Sequence, residues 1–262
     1  MSAAVIARAA VVPLFAEPTL RAEQVSQLVL GETADVLEVA DDWRKLRTGI
    51  DQYLGWVHAG YCAEVDEAAA AAWQREAHGW SQGAAARVGE TRVRLPLRAR
   101  VALEADAIRL PDGRRGRLVE GAVVPVADAV SAARAKAPER WALEYFGGTP
   151  YQWGGVTPAG ADCSGMVQTT FLARGVTLPR DASQQVACGA AVSPDEIRPG
   201  DLLFFRGSSG ERVTHVAFAG EADTLVHSAI AVGGMVQEPW LPGSRAAPLR
   251  DRLVAVRRLE AR

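Results

Sequence analysis

What this 262-residue chain lacks is the first guide to it. There are only three cysteines, Cys62, Cys163 and Cys188, an odd number with no CxxC spacing. That excludes a disulfide framework and a cysteine-rich zinc module, and it points to a reducing compartment. There is no charge excess, since 29 Lys and Arg face 31 Asp and Glu for a net −2. A nucleic-acid partner is not expected without a basic stripe. No apolar run approaches the roughly 18–20 residues of a membrane span, so no membrane association is expected either. Residues 1–20 lack the order of an export signal, because Arg8 interrupts the apolar stretch and Pro13 follows it. They read as a first strand, and the expected location is the cytoplasm. Hydrophobic residues at 48% and charged residues at 23% exclude wholesale disorder. The length suits one large domain or two to three small ones.

The first 60 residues carry short β-like runs at 36–39, 43–46 and 53–57, at the close spacing of a small barrel. A second such region covers about 84–127. There Asp112-Gly113 between alternating runs signals a hairpin. Asp51, Gly55 and Gly60 recur as Asp112, Gly116 and Gly121, each 61 residues later, which suggests a duplicated module. Between the two, an Ala-rich stretch reads as a helical linker. From residue 131 the texture changes. Residues 131–146 form a helical pattern and 151–160 a loop. Asp162 caps a helix that Gly175 closes. Strand-like runs follow at 201–205, 214–220, 224–230, 235–240 and 253–259. A Cys-bearing helix followed by an antiparallel sheet bearing His is an α+β plan.

Cys163 follows the N-cap directly. The helix dipole and free N–H groups there favour a thiolate and can hold an oxyanion. A buried structural cysteine is the plain alternative. Of four histidines, His215 and His227 flank a turn at 220–223. A turn centred on residue 221 places them directly opposite each other, with Cβ atoms about 4.5–5.5 Å apart. Ala217 and Ala219 on the same face offer a small-residue floor. In the resulting mechanism His215 takes the proton of Cys163 and His227 orients His215. A Cys/His/His zinc site is the competing reading. It lacks an obvious acidic base, and no metal or cofactor is expected.

Several motifs then fall in order: Tyr151-Gln-Trp-Gly-Gly, Asp162-Cys163-Ser164-Gly165, Arg180-Asp-Ala-Ser183-Gln-Gln, Arg198-Pro-Gly-Asp201, Thr214-His215-Val216 and Val226-His227-Ser228. From residue 131 to the end the chain closely resembles the NlpC-type cell-wall cysteine peptidases, which are papain-like. The upstream half resembles paired bacterial SH3-like barrels, with Tyr53-Leu-Gly55-Trp56-Val57 as the similar strand. Together they look like the dipeptidyl-peptidase VI subfamily of γ-D-glutamyl-L-diamino acid endopeptidases. The resemblance implies an α+β papain-like catalytic domain preceded by two small all-β SH3-like barrels. The expected boundaries are 1–63 for the first barrel, 64–83 for the linker, 84–128 for the second barrel and 129–262 for the peptidase domain.

It also implies Cys163, His215 and His227 as catalytic residues, with a peptidoglycan stem peptide, L-Ala-γ-D-Glu-diamino acid, as substrate. In such a site the free amine of L-Ala, with a pKa of about 7.7–8.0, needs a carboxylate. Asp162 is the candidate, unless it acts only as the N-cap. Ser164, Tyr151 and Ser183 are candidate substrate contacts, joined by Glu32 and Tyr53 from the first barrel. Two other functions stay open: an endopeptidase acting on intact peptidoglycan, and a non-catalytic cell-wall-binding protein.

Overall fold

The computed structural model describes residues 4–208 and 210–259. The chain folds as two compact units, divided between Ala129 and Val130.

The first unit holds two antiparallel sheets. Strands β1 (Ala4–Ala7), β2 (Val11–Phe15), β3 (Gln24–Val29), β4 (Thr33–Ala40), β5 (Trp43–Thr48), β6 (Leu54–His58) and β7 (Cys62–Val65) form one sheet in the order β3-β2-β6-β5-β4-β1-β7. The N-terminal stretch read as one strand is thus two, β1 and β2, broken at Arg8–Ala10. Val5, Val12, Leu28, Ala34, Leu46, Val57 and Cys62 come one from each strand and share a single buried cluster. A sheet whose every strand feeds one core must wrap around it, which is the SH3-like barrel plan. Cys62 is part of that core, and burial pushes its thiol up to about 12.

Helix α1 (Glu67–Glu76) follows, capped by Asp66 through the Ala69 N–H at 2.7 Å. Strands β8 (Gly79–Ser81), β9 (Ala84–Val88), β10 (Thr91–Leu95), β11 (Arg100–Leu103), β12 (Ile108–Arg109), β13 (Arg115–Glu120) and β14 (Val123–Pro125) make the second sheet, ordered β10-β9-β13-β12-β11-β8-β14. Strand for strand, this is the order of the first sheet. The linker expected at 64–83 therefore contains the end of β7, all of α1 and the first strand of the second sheet. Trp73 of α1 packs with Ile6 and Ala102 and donates from Nε1 to the Gly31 carbonyl at 2.8 Å.

Helix α2 (Val126–Arg134) crosses the division between the units. The helix expected over 131–146 is really the end of α2 and a separate α3 (Pro138–Phe146). Pro138 at its first turn has no N–H to continue α2, and it suits a helix start. The loop expected at 151–160 holds a small hairpin, β15 (Val156–Thr157) with β16 (Gly160–Ala161).

Helix α4 (Cys163–Ala173) is buried along almost its whole length and packs on the main sheet. Phe171 lies 6.0 Å, ring to ring, from Phe218. After the short α5 (Ala182–Gln185) come β17 (Ala190–Ala191), β18 (Leu202–Arg206), β19 (Val213–Ala219), β20 (Thr224–Ala229), β21 (Gly234–Pro239) and β22 (Leu253–Arg258). Their order is β17-β22-β18-β19-β20-β21. No helix among the described residues is long and apolar enough to cross a membrane.

Candidate active site

The start of α4 is built around one carboxylate. Asp162 caps the helix, accepting from the Gly165 N–H at 2.7 Å. It also accepts from the Gly154 N–H at 2.8 Å, from Ser164 Oγ at 3.3 Å, and from two Arg180 nitrogens at 3.1 and 2.6 Å. Arg180 is wholly buried and also donates to Ser164 Oγ at 2.9 Å. Sequence reasoning quoted Arg180 inside a motif but gave it no task. The loop before the helix is drawn in closely. A Cβ on Gly165 would stand 2.0 Å from the Gly155 carbonyl oxygen, so only glycine fits there.

This arrangement corrects the reading of Asp162. A carboxylate offers about four lone-pair sites, and all of these are taken up within the protein. The N-cap role, with Arg180 as counter-ion, is what the geometry shows. Ser164 is likewise part of this network, donating to Asp162 and accepting from Arg180.

Cys163 is buried beside it. The thiol was expected to be lowered by the helix N-terminus. Instead burial, seconded by the Asp162 charge, pushes it up to about 12. Hydrogen bonds from the Val216 and Ser164 N–H groups and the Arg180 charge pull the other way. The Val216 contact brings the sulfur against β19 one residue beyond His215. The Gly165 and Met166 N–H groups are spent on Asp162.

His215 Nε2 lies 2.8 Å from His227 Nδ1. The strand register differs from expectation. Phe218 pairs with Val226 and Ala219 with Leu225, because the tight turn places Ala222 and Asp223, at φ 51° and 52°, at its centre. The histidines are therefore diagonal neighbours on one face instead of direct partners, and long side chains still meet across a diagonal. The small-residue floor is also corrected. Ala217 and Ala219 are buried under Phe205 and Trp240, and Phe205 lies 5.9 Å from His215, ring to ring.

Burial, seconded by the His227 and Arg245 charges, lowers His215 to about 3. Burial also lowers His227, against the pull of Glu238. Burial thus works against both charged forms, the thiolate and the imidazolium. Beyond His227 stands a residue that sequence reasoning missed: Glu238 Oε1 is 2.7 Å from His227 Nε2. Glu238 sits on β21 two positions past Val236, the partner of His227. The rings bond each other and Glu238, so they do not converge on a point where zinc would sit.

The other predicted residues fall in different places. Tyr151 is half-buried, and its phenol is raised above the usual range by burial and then by the Cys163 and Asp162 charges. It remains a protonated donor. Ser183 is a half-buried residue of α5. Glu32 and Tyr53 belong to the first unit. Glu32 is buried, bonded to Arg98 and to the Val29 N–H at 3.0 Å, so its carboxylate is committed to the interior. Tyr53 leads into β6, its N–H on Thr48 Oγ1 at 2.9 Å.

Known proteins carry the same plan. Residues 148–244 match the NlpC/P60 family, and residues 14–60 match the bacterial dipeptidyl-peptidase Sh3 domain. The chain is 29% identical over 257 residues to dipeptidyl-peptidase 6 of Lysinibacillus sphaericus, covering 88% of each. It is 40% identical over 85 residues to the γ-D-glutamyl-L-lysine dipeptidyl-peptidase of Bacillus subtilis, 32% of this chain and 29% of that one. Several curated relatives are spanned over only 23% to 61% of their length. The crystal structure of an NlpC/P60 family protein from Bacillus cereus superposes with a TM-score of 0.76 at 19% identity, covering 97% of this chain and 99% of that one. Cys163, both histidines and Glu238 lie inside the matched segment, so the chain carries an NlpC/P60 papain-like α+β domain, preceded by a bacterial dipeptidyl-peptidase SH3 domain.

Proposed function

We propose that the chain is a cysteine peptidase that hydrolyses the γ-D-glutamyl–diamino acid bond of peptidoglycan stem peptides. Its substrates are free short peptides with an N-terminal L-Ala, released during cell-wall turnover and reprocessed in the cytoplasm. The observation that carries this is a thiol at the start of a buried helix, held against the strand of a hydrogen-bonded His215–His227 pair. Cys163 gives its proton to His215, and the sulfur attacks the amide carbon. The N–H groups of Cys163 and Ser164 receive the oxyanion. His215 returns the proton to the leaving amine, and water then cleaves the thioester. The names of the relatives support the bond and the dipeptidyl mode.

One observation favours a second reading. With Asp162 fully engaged by Arg180 and the helix cap, the catalytic unit spends this carboxylate internally. A substrate whose L-Ala is acylated, as in intact peptidoglycan, needs no such partner. Mass spectrometry of digests of L-Ala-γ-D-Glu-diaminopimelate and its N-acetylated twin separates the two. Cleavage of the free form alone supports the proposal, and equal cleavage of both moves the activity to the intact wall. Cys163→Ala should abolish turnover with the fold retained.

A further inference from the structure

Beyond His227 the polar chain continues to a carboxylate and a guanidinium. Glu238 is almost wholly buried. Its Oε2 accepts from Arg245 Nε at 2.8 Å, and its Oε1 accepts from the terminal Arg245 nitrogen and meets His227 Nε2 at 2.7 Å. Held in that fork, the carboxylate has no proton to give and acts only as an acceptor.

With both rings neutral, the donor–acceptor inventory leaves one assignment. His227 must carry its proton on Nε2, to donate to Glu238. Its Nδ1 is therefore an acceptor. His215 Nε2, 2.8 Å away, must carry the proton of that contact. The remaining ring nitrogen of His215, Nδ1, is left unprotonated, as a base. We infer that Glu238 is a positioning residue that fixes the tautomers of two successive imidazoles, so that His215 presents a bare Nδ1 for the Cys163 proton. The inference rests on the thiol-peptidase reading of this site.

The proton balance is simple. The Cys163 Sγ–H bond breaks and an Nδ1–H bond forms on His215, leaving a thiolate and an imidazolium. The imidazolium keeps its Nε2–H on His227, whose own Nε2–H stays on Glu238. The negative charge of Glu238 lies one ring away from the new cation. Without the carboxylate, His227 is free to take the Nδ1–H tautomer. It would then present a donor to the donor of His215, and the base would turn off. No step passes through Arg245, which only aims the carboxylate.

Long-range 1H–15N correlation spectra of the 15N-labelled full chain read the tautomers directly. The chain has four histidines, and His58→Gln and His78→Gln remove the signals of the two that lie outside the site. In the unaltered chain both His215 and His227 should show a protonated Nε2 and a bare Nδ1. Glu238→Ala should disturb the His227 pattern and lower kcat about tenfold or more, with KM held within about twofold. Glu238→Gln keeps an acceptor oxygen and should restore the tautomers and part of kcat. A ring protonated on Nδ1 in the unaltered chain overturns the inference. So does a Glu238→Ala chain with unchanged tautomers and full kcat. Should that variant fail to fold, the unaltered chain and Glu238→Gln still decide. Alkylation of Cys163 by iodoacetamide separates this from the functional reading. If no stem peptide is cut, yet alkylation slows with Glu238→Ala, the substrate is wrong and the positioning role stands.

Discussion

Each unit holds an acid–arginine pair in which both side chains are almost wholly buried, and the two pairs serve different ends. Glu32 and Arg98 have side chains only 2% and 4% exposed; Asp162 and Arg180 are 7% and 1% exposed. The first pair joins repeats. Glu32 lies between β3 and β4, and Arg98 between β10 and β11, the corresponding positions of the second sheet. Arg98 even takes the place of Gly31 in the repeat. Both have positive φ, 81° and 84°, and the N–H of each bonds the last residue of its sheet's first strand, Ser81 or Ala7. An arginine in left-handed backbone is strained where glycine is not. Its side chain, reaching Glu32, is the compensation. The second pair assembles a helix start: the oxygens that meet Arg180 also cap α4 beside Cys163. The first pair reaches one backbone group, the Val29 N–H. The second reaches the Gly154 and Gly165 N–H groups, in the backbone that holds the thiol.

Breaking the second pair should cost most. Asp162→Ala takes the Asp162 carboxylate from the buried Arg180, about 3–5 kcal/mol, and removes a cap worth about 0.5–2 kcal/mol. Urea unfolding should show the loss, and Cys163 should lose its reactivity in whatever remains folded. Arg98→Ala should come next, at about 3–5 kcal/mol with no cap to lose. Here the folded fraction should keep its full thiol reactivity. The double change Glu32→Leu with Arg98→Met sharpens the contrast: it removes the unpaired charge and should recover part of that loss, short of the native chain by the about 1–3 kcal/mol of the Val29 N–H that Glu32 accepts from.

A pH series adds a term found only in the second unit. Burial lowers both His215 and His227, so the unfolded chain binds protons that the native rings refuse. Stability should be full above the unfolded imidazole value of about 6.5 and fall as the pH drops below it. A melting series down to about pH 5 tests this, and His215→Asn should flatten the slope. At the small end stands Arg47–Asp35, the same chemistry at the surface with side chains about half exposed. Arg47→Ala should shift stability by less than about 1 kcal/mol.

Much of this was legible in the chain because local rules decided it. Asp162 and Gly175 bracket α4 as cap and stop, and Asp112-Gly113 turns β12 into β13. The repeat showed through Gly55 and Gly116, which sit on equivalent strands β6 and β13, both pressed by neighbours. The same offset of 61 also matched Asp51 with Asp112, ahead of those strands, and Gly60 with Gly121, after them, but it does not extend further back, since Gly31 and Arg98 are 67 apart. Loop lengths differ between the copies. The His pairing was right in its outcome and wrong in register, because the turn's centre is Ala222 and Asp223, and alanine is not a type that announces positive φ. Glu238 and the role of Arg180 were invisible for a different reason. Their tasks come from diagonal and long-range contacts, and no sequence period records these. The burial that raises Cys163 is equally a property of the packed whole.

That packing has a consequence for how the catalytic unit opens. Helix α4 is buried at every residue from Cys163 to Phe171 and again at Ala173. It has no solvent face along which to fray, so its amides can exchange with solvent only when the layers around it separate. The nucleophile then belongs to the last part of the unit to come apart. In deuterium-exchange experiments its helix should mark the slowest, globally cooperative opening, while the exposed 220–223 turn exchanges early.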